Sequence, residues 1–499
     1  MLTQHSWCSV LFCNLQPTFV SAMRRLAAAF FLLAYFLYFS WDRLRVRFSP
    51  DDLMNLDFYW KRGPGWMALA QFPLWRGLYR PMGAVFYLPL FQAFGLNPAP
   101  YHVAVMLLLL ANAYLLYRLA KVLGAGELAA GLAALIVCYH AGLSALYYYT
   151  GFVYDVLCFF FYVGALAFYA GVRSRGRLLN GWETAAFLSL FLCALNSKEM
   201  AVTLPVMLLI YEWIYHRPPS GSRPDLPAWL RGPGRVALCA AGMSLLSLYG
   251  KAFGPDPLLH AAGYHPTFSL HQVRLFQTAA LGDLLLNQNF AGWVRIVAIW
   301  ALLLYLALRR DRPVLRFCWW FLLIAPLPVE FLEHRTGANL YVPLAGMAIF
   351  GVVIFVDLAG ALAAVLAREK TFRRVDRWVL LAVTVAAGAG LWAHRNRYLR
   401  EWLVKPAMAK TGQAQAEIIG QFRALRPHVA PGSRVAILND PVEPNDPLNG
   451  LETYFIAELW FRDRSVTVYL QRLNHLPPEE LAQVDRVLAF EEGKLVEVK

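Results

Sequence analysis

Long apolar runs joined by short polar stretches fill the first four-fifths of the chain, and they set its architecture. Eleven stretches reach or approach the ~20 residues that a helix needs to cross a bilayer: 24–41, 101–121, 127–146, 155–171, 183–197, 199–216, 235–250, 290–308, 314–329, 340–360 and 378–394. An α-helical polytopic membrane protein with about 11 transmembrane helices is expected. A further apolar stretch, 81–97, is short and carries Pro81 and Pro89. It reads as a re-entrant or interfacial helix. Beyond residue 395 the pattern changes. Helical spacing near 412–425 and 449–460 alternates with strand-like runs at 435–438, 465–469, 487–490 and 495–498, the last two flanking a Glu-Gly turn. These elements predict a small α/β soluble domain. The expected organisation is an N-terminal extension over 1–23, a membrane domain over 24–395 with a first outer loop at 42–100, and the soluble domain over 396–499.

Basic residues orient the spans. Arg118/Lys121, Arg173/Arg175/Arg177, Arg217 to Arg231, Arg309/Arg310/Arg312 and Lys370 to Arg377 all become cytoplasmic if Arg24-Arg25 is inside. The loops at 42–100, 147–155, 197–199, 251–289 and 330–339 then face out, as does the C-terminal domain. Counting 81–97 as a span would invert everything after it. The expected location is a bacterial inner membrane, with the outer loops in the periplasm. The chain begins without a clean signal peptide, and a start at Met23 would make 24–41 an uncleaved signal anchor.

Composition agrees with a lipid environment. Residues are 59% hydrophobic and only 16% charged, against about 25% charged in soluble domains. The net charge of +14 divides into −4 over 411–499 and +18 over the rest. That basic excess suits loops beside anionic lipid. It offers no basic soluble face for nucleic acid. The seven cysteines show neither a metal-ligand spacing nor a disulfide framework.

Ionisable residues at one membrane face are the functional signal. On this topology the outer side collects Asp51, Asp52, Asp57, Arg80, Asp155, Lys198, Glu199, Glu333, His334 and Arg335. Each also has a plain structural reading. Ser-Pro-Asp-Asp at 49–52 is a helix N-terminus signal, and Asp155 suits an N-cap. Lys198-Glu199 suits a local ion pair. Arg80 suits a snorkel to headgroups, and His334-Arg335 a solvated loop pair. Tyr147 to Tyr149 and Tyr154 suit an interfacial belt. His260, His265 and His271 are too irregularly spaced for a metal site.

Taken in order, the motifs resemble a known superfamily. Asp51-Asp52 follows the first span. Leu78-Tyr-Arg-Pro81 precedes Gly95-Leu-Asn-Pro-Ala-Pro-Tyr-His102, and Asp155 opens a span. Asn196-Ser-Lys-Glu-Met-Ala-Val-Thr-Leu-Pro205 and His334-Arg-Thr-Gly-Ala-Asn-Leu-Tyr-Val-Pro343 complete the series. Over about residues 24–360 the chain resembles the GT-C membrane glycosyltransferases, most closely protein O-mannosyltransferases and the transmembrane tetratricopeptide-repeat mannosyltransferases, though its tail holds no repeats. The resemblance implies transfer of a sugar such as mannose, with inversion, from a polyprenyl-phosphate donor to an extracytoplasmic protein, lipid or glycan acceptor. It maps the catalytic acidic pair onto Asp51 and Asp52 and a second-loop acidic residue onto Asp155. Donor-phosphate binding falls to Lys198, Arg335 and Arg80, with support from Glu199 and His334. His334 stands where the family often has Glu.

The chemistry is coherent with those residue types. A carboxylate takes the acceptor proton, and cations stabilise the departing phosphate. Asp51 is the expected base, with Asp52 as the alternate. No metal ligand set is assigned, and a divalent cation at the acidic pair stays open as cofactor. Two other classes compete. A secondary transporter would show internal repeats and midplane charges, and a non-catalytic membrane assembly protein would work through its soluble tail.

Overall fold

The computed structural model describes residues 26–499 apart from 218–225, 256, 261, 262, 288, 289, 291, 369–374 and 443–449. The extension 1–23, Arg24-Arg25, Cys8 and Cys13, and parts of the basic clusters Arg217 to Arg231 and Lys370 to Arg377 lie outside the described residues. The described chain is mostly helical, with one small sheet.

Among the described residues, six helical runs are long and apolar enough to cross a membrane: Pro98–Val122, Thr150–Arg173, Gly234–Phe253, Pro313–Glu330, Gly337–Leu366 and the start of Arg377–Leu425. A seventh span is formed if Glu127–Cys138 and Ala141–Tyr147, bent by 61° against each other, cross together. This is fewer than the eleven expected from hydropathy. Three of the expected spans are short helices, Gly181–Ser197, Leu204–Tyr215 and Trp293–Arg309. At 1.5 Å per residue, the second covers only ~18 Å of a ~30 Å hydrocarbon layer. The stretch at 81–97 forms the 12-residue helix Gly83–Phe94, likewise too short to cross by itself.

Local sequence explains the helix starts. Asn97 caps Pro98–Val122 by accepting from Ala99 N–H, and Pro98 occupies the first helical position. Asn180 and Glu183 form a capping box at Gly181. The Val153–Arg173 helix packs between Pro98–Val122 and Gly181–Ser197. It buries Tyr154, Tyr162 and Tyr169. At its far end, Arg173 binds Glu212 through two hydrogen bonds of 2.7 and 2.8 Å, and Tyr169 adds a third to the same carboxylate.

Segment 42–100, the expected first outer region, is built around Pro50–Leu69, a helix broken at Gly63 (φ 77°). Just before it, Arg43 is fully buried. Its Nε donates to His102 Nδ1 (3.0 Å) and its Nη1 to Leu146 O (2.9 Å). His102 Nε2 in turn reaches Val46 O (3.1 Å). Segment 43–46 is thereby tied to the Pro98–Val122 helix.

The C-terminal unit has the order expected from its periodicity. Helix Gln413–Leu425 leads to β1 (Arg434–Leu438), helix Glu452–Phe461, β2 (Thr467–Leu470), β3 (Arg486–Glu491) and β4 (Lys494–Glu497). The sheet order is β2-β1-β3-β4. Strand β1 runs parallel to both its neighbours, and β3–β4 is an antiparallel hairpin. This unit rests on segment 42–100. Lys61 bridges Glu458 (2.8 Å) and Asp57 (3.3 Å) and donates to Tyr454 OH. Arg464 Nε donates to Trp60 O (2.9 Å), and Arg423 Nη2 to Leu96 O (2.8 Å).

Candidate active site

The two adjacent carboxylates have different fates. Ser49 is the N-cap of Pro50–Leu69. Its N–H (2.9 Å) and hydroxyl (2.8 Å) both donate to Asp52 Oδ2, while its Oγ accepts from Asp52 N–H. Asp52 is 1% exposed, and its Oδ1 makes no hydrogen bond. Burial lifts its carboxyl to about 6, partly opposed by the nearby Thr150 hydroxyl and then by the Ser49 donors. Arg43 lies close enough to feel this charge. Burial pushes the Arg43 guanidinium down, and the attraction of Asp52 pulls it back up. Asp51, one residue earlier, is exposed. It lies against the Thr150-Gly151 turn, where a methyl group on Gly151 would sit 3.4 Å from Asp51 Cβ. The capping reading therefore holds for Asp52, and Asp51 is the carboxylate that faces out.

That turn leads directly into Val153–Arg173, which carries Asp155 in its first turn. Asp155 is not an N-cap. Both its oxygens accept from Lys198 Nζ at 2.6 Å, and Lys198 donates again to Asn339 Oδ1 at 2.6 Å. Both side chains are almost completely buried. An ammonium has three donors, and here all three face acceptors. The expected local pair Lys198-Glu199 does not form. In this arrangement Lys198 and Asp155 form one buried ion pair, which Asn339 completes.

Glu199 points to Arg80. Arg80 Nη2 lies 3.1 Å from Glu199 Oε2 and donates to Tyr264 OH at 2.8 Å. Its guanidinium also lies 5.1 Å from the Tyr154 ring centre. Arg80 is 7% exposed, so it does not snorkel to headgroups. Its φ of +37° is strained for an arginine, and Tyr59 OH holds its carbonyl at 2.8 Å. Lys251 Nζ approaches Glu199 Oε1 at 3.7 Å and donates to Leu78 O. Arg335 stacks on Tyr264 at 4.2 Å and donates to Gly263 O at 3.2 Å. Arg80 and Lys251 thus both approach the Glu199 carboxylate, next in sequence to Lys198, and Arg335 reaches this group only through Tyr264.

The structure brings together Asp51, Asp52, Arg80, Asp155, Lys198, Glu199 and, through Tyr264, Arg335. It leaves His334 exposed at φ +54°, outside these contacts. Asn339, Tyr264, Lys251 and Arg43 are additions that the sequence reading did not single out. Two had a readable signal. Asn339 is a polar residue between Ala338 and Leu340 just before a long apolar run, and Lys251 is a cation ending one. Tyr264 had none. Among the described residues no three His, Cys, Asp or Glu side chains gather as metal ligands.

The site lies at one end of the helices. Asp155 opens Val153–Arg173 and Arg173 closes it 18 residues later, about 27 Å along the axis. The basic cluster at 173–177 is therefore at the opposite end from the acidic pair. No protein-family model matches the chain, and comparison with curated proteins finds no match either.

Proposed function

We propose that this chain is an integral-membrane glycosyltransferase of the GT-C type, spanning the bilayer about eleven times, with the acidic pair and the C-terminal domain on the outer side. It moves a sugar, with inversion, from a polyprenyl-phosphate donor to an extracytoplasmic acceptor. One observation carries this reading. Segments distant in sequence supply an exposed carboxylate and a group of cations to the same end of the same helices.

The roles follow from exposure and pairing. Asp51 takes the proton from an acceptor hydroxyl as that oxygen attacks the anomeric carbon. The bond between anomeric carbon and phosphate oxygen breaks, and the polyprenyl phosphate leaves. Arg80, Lys251 and Arg335 face the charge that develops on it, and a guanidinium can hold two phosphate oxygens at once. Asp52 fixes the helix start that aims Asp51. The Asp155–Lys198–Asn339 unit braces the floor between the two groups.

The deciding experiment supplies purified protein with a labelled polyprenyl-phosphate hexose and an acceptor-rich membrane extract. Release of polyprenyl phosphate with sugar transfer is expected. Asp51→Asn should lower it by about 10² or more, the lower range for acid–base catalysis. Absence of transfer from every hexose donor tested would sink the reading. Full transfer by folded Asp51→Asn would remove the base.

A further inference from the structure

A second charged cavity lies away from the residues discussed so far. It is open, about 340 Å³ in volume, and formed where the start of the first outer region meets the segment entering the C-terminal domain. Arg45 and Arg47 line one wall; Lys405, Met408 and Thr411 line the other, with Asp42 at the rim. Arg45 and Arg47 are exposed on either side of the buried Val46 and line the same cavity. Gly412 closes the end, packed so tightly on Phe48 O that a methyl group there would lie 2.2 Å from it.

The charges do not cancel. Arg400 pairs with Asp42 and with Glu401, and Lys405 pairs with Glu401. Arg45 and Arg47 are exposed, and among the described residues neither makes an ion pair or hydrogen bond. Of the lining residues, three cations (Arg45, Arg47 and Lys405) against the one carboxylate of Asp42 leave a net charge of two positive units. The surroundings identify the depth. Tyr38, Trp41, Tyr398 and Trp402, within seven residues in sequence of the lining residues Asp42 and Lys405, are all exposed. Exposed aromatic residues of this kind collect at the level of lipid headgroups. The helix that ends here also turns through a π-helical segment at Arg400–Val404, which brings Arg400 to Asp42.

We propose that this cavity binds the phosphate of an anionic glycerophospholipid, with Arg45 and Arg47 as its ligands and Trp41 and Trp402 against the acyl–headgroup boundary. The site shares no residue with the Asp51–Arg80 cluster and does not depend on the glycosyltransferase reading. A free phosphate ion would satisfy the arginines equally, but it would gain nothing from the aromatic rim; the rim is what favours a lipid. Bound there, the single negative charge of the lipid phosphate would be shared by the two arginines, offsetting one of the two excess positive charges, and the lipid would join the first outer region to the 405–411 segment.

The test uses the full chain, purified and delipidated in a neutral detergent, and native mass spectrometry with added phosphatidylglycerol or phosphatidylcholine. One phosphatidylglycerol should be retained in preference to phosphatidylcholine, and millimolar inorganic phosphate should not displace it. R45Q/R47Q should weaken retention by about 30-fold, from two surface cations removed, while R45K/R47K keeps most of it. Equal retention of phosphatidylcholine, unchanged retention in R45Q/R47Q, or full displacement by inorganic phosphate would each overturn the proposal. Both arginines are exposed, so R45Q/R47Q should melt as the parent chain does. If it does not, Lys405→Glu reads the same charge from the facing wall, and unchanged retention there would equally overturn it.

Discussion

Removing Lys198 would leave the Asp155 carboxylate buried without the ammonium that binds both its oxygens. An uncompensated charge of this kind costs about 3–5 kcal/mol. Lys198→Ala should therefore melt well below the parent protein in detergent, and D155N/K198Q should recover much of the loss. If the single variant melts normally, the pair is not buried as described. Asp52→Ala should cost about 1 kcal/mol through the lost cap, measured by the same melting experiment, with Asp51→Asn near neutral. The two carboxylates are thus separable, one by stability and one by transfer. The capping box was legible in the sequence because Ser49 and Asp52 are three residues apart. The Asp155–Lys198 pair was not, because 43 residues separate its members. Nothing local distinguishes it from the alternative pair with Glu199.

Two contacts between elements shape the site. The turn at Leu74–Gly77 lies on the Gly234–Phe253 helix with backbone against backbone. A methyl group on Gly250 would fall 2.2 Å from Leu74 O, and one on Gly77, whose φ is +66°, would fall 2.0 Å from Gly250 O. Neither side can yield by rotating a side chain. Gly250→Ala should destabilise by about 1–3 kcal/mol. It should also reduce transfer, because Lys251 and Arg80 flank the contact; melting and donor turnover measured together would show whether both fall. The other contact is Asp57–Lys61–Glu458, where two carboxylates share one ammonium. Burial lifts the Asp57 carboxyl to about 7, against the pull of Lys61. Its unfolded value is about 3.9, so the native state binds the extra proton between those values. The stability it contributes is full below pH ~4 and is lost as pH rises through ~7. Asp57→Asn should remove that slope and leave the variant more stable than the parent at pH 8, as read from melting curves at several pH values. The strands and helices of the C-terminal unit were legible from period and turn residues alone, to within a few positions. Its seat was not, since Lys61 and Arg464 read as ordinary surface charges until the partner elements are known.

At the scale of the whole molecule, hydropathy recovered a helical membrane protein but not the form of each crossing. Gly181–Ser197 and Leu204–Tyr215 are separated by a 3-10 turn at Glu199–Thr203. The apolar stretch at 127–146 is bent at Tyr139-His140. Hydropathy averages over such breaks, whereas backbone bonding at a break depends on neighbours remote in sequence. The proposed orientation has its own check. A reporter joined after residue 410 should read as outside, and one after residue 176 as inside; reversed readings would move the acidic pair to the cytoplasm.

The seating of the C-terminal unit on the Pro50–Leu69 helix also sets a timetable for biogenesis. Lys61 and Trp60 meet partners 393 and 404 residues later in the chain. At about 5–20 residues per second, the ribosome needs roughly 20–80 s to supply them. During that interval the segment bearing Asp51 is present without its brace. The contacts that seat it form only after the C-terminal unit has been made. A nascent chain would thus hold Asp51 on an unfastened segment until that unit folds against it.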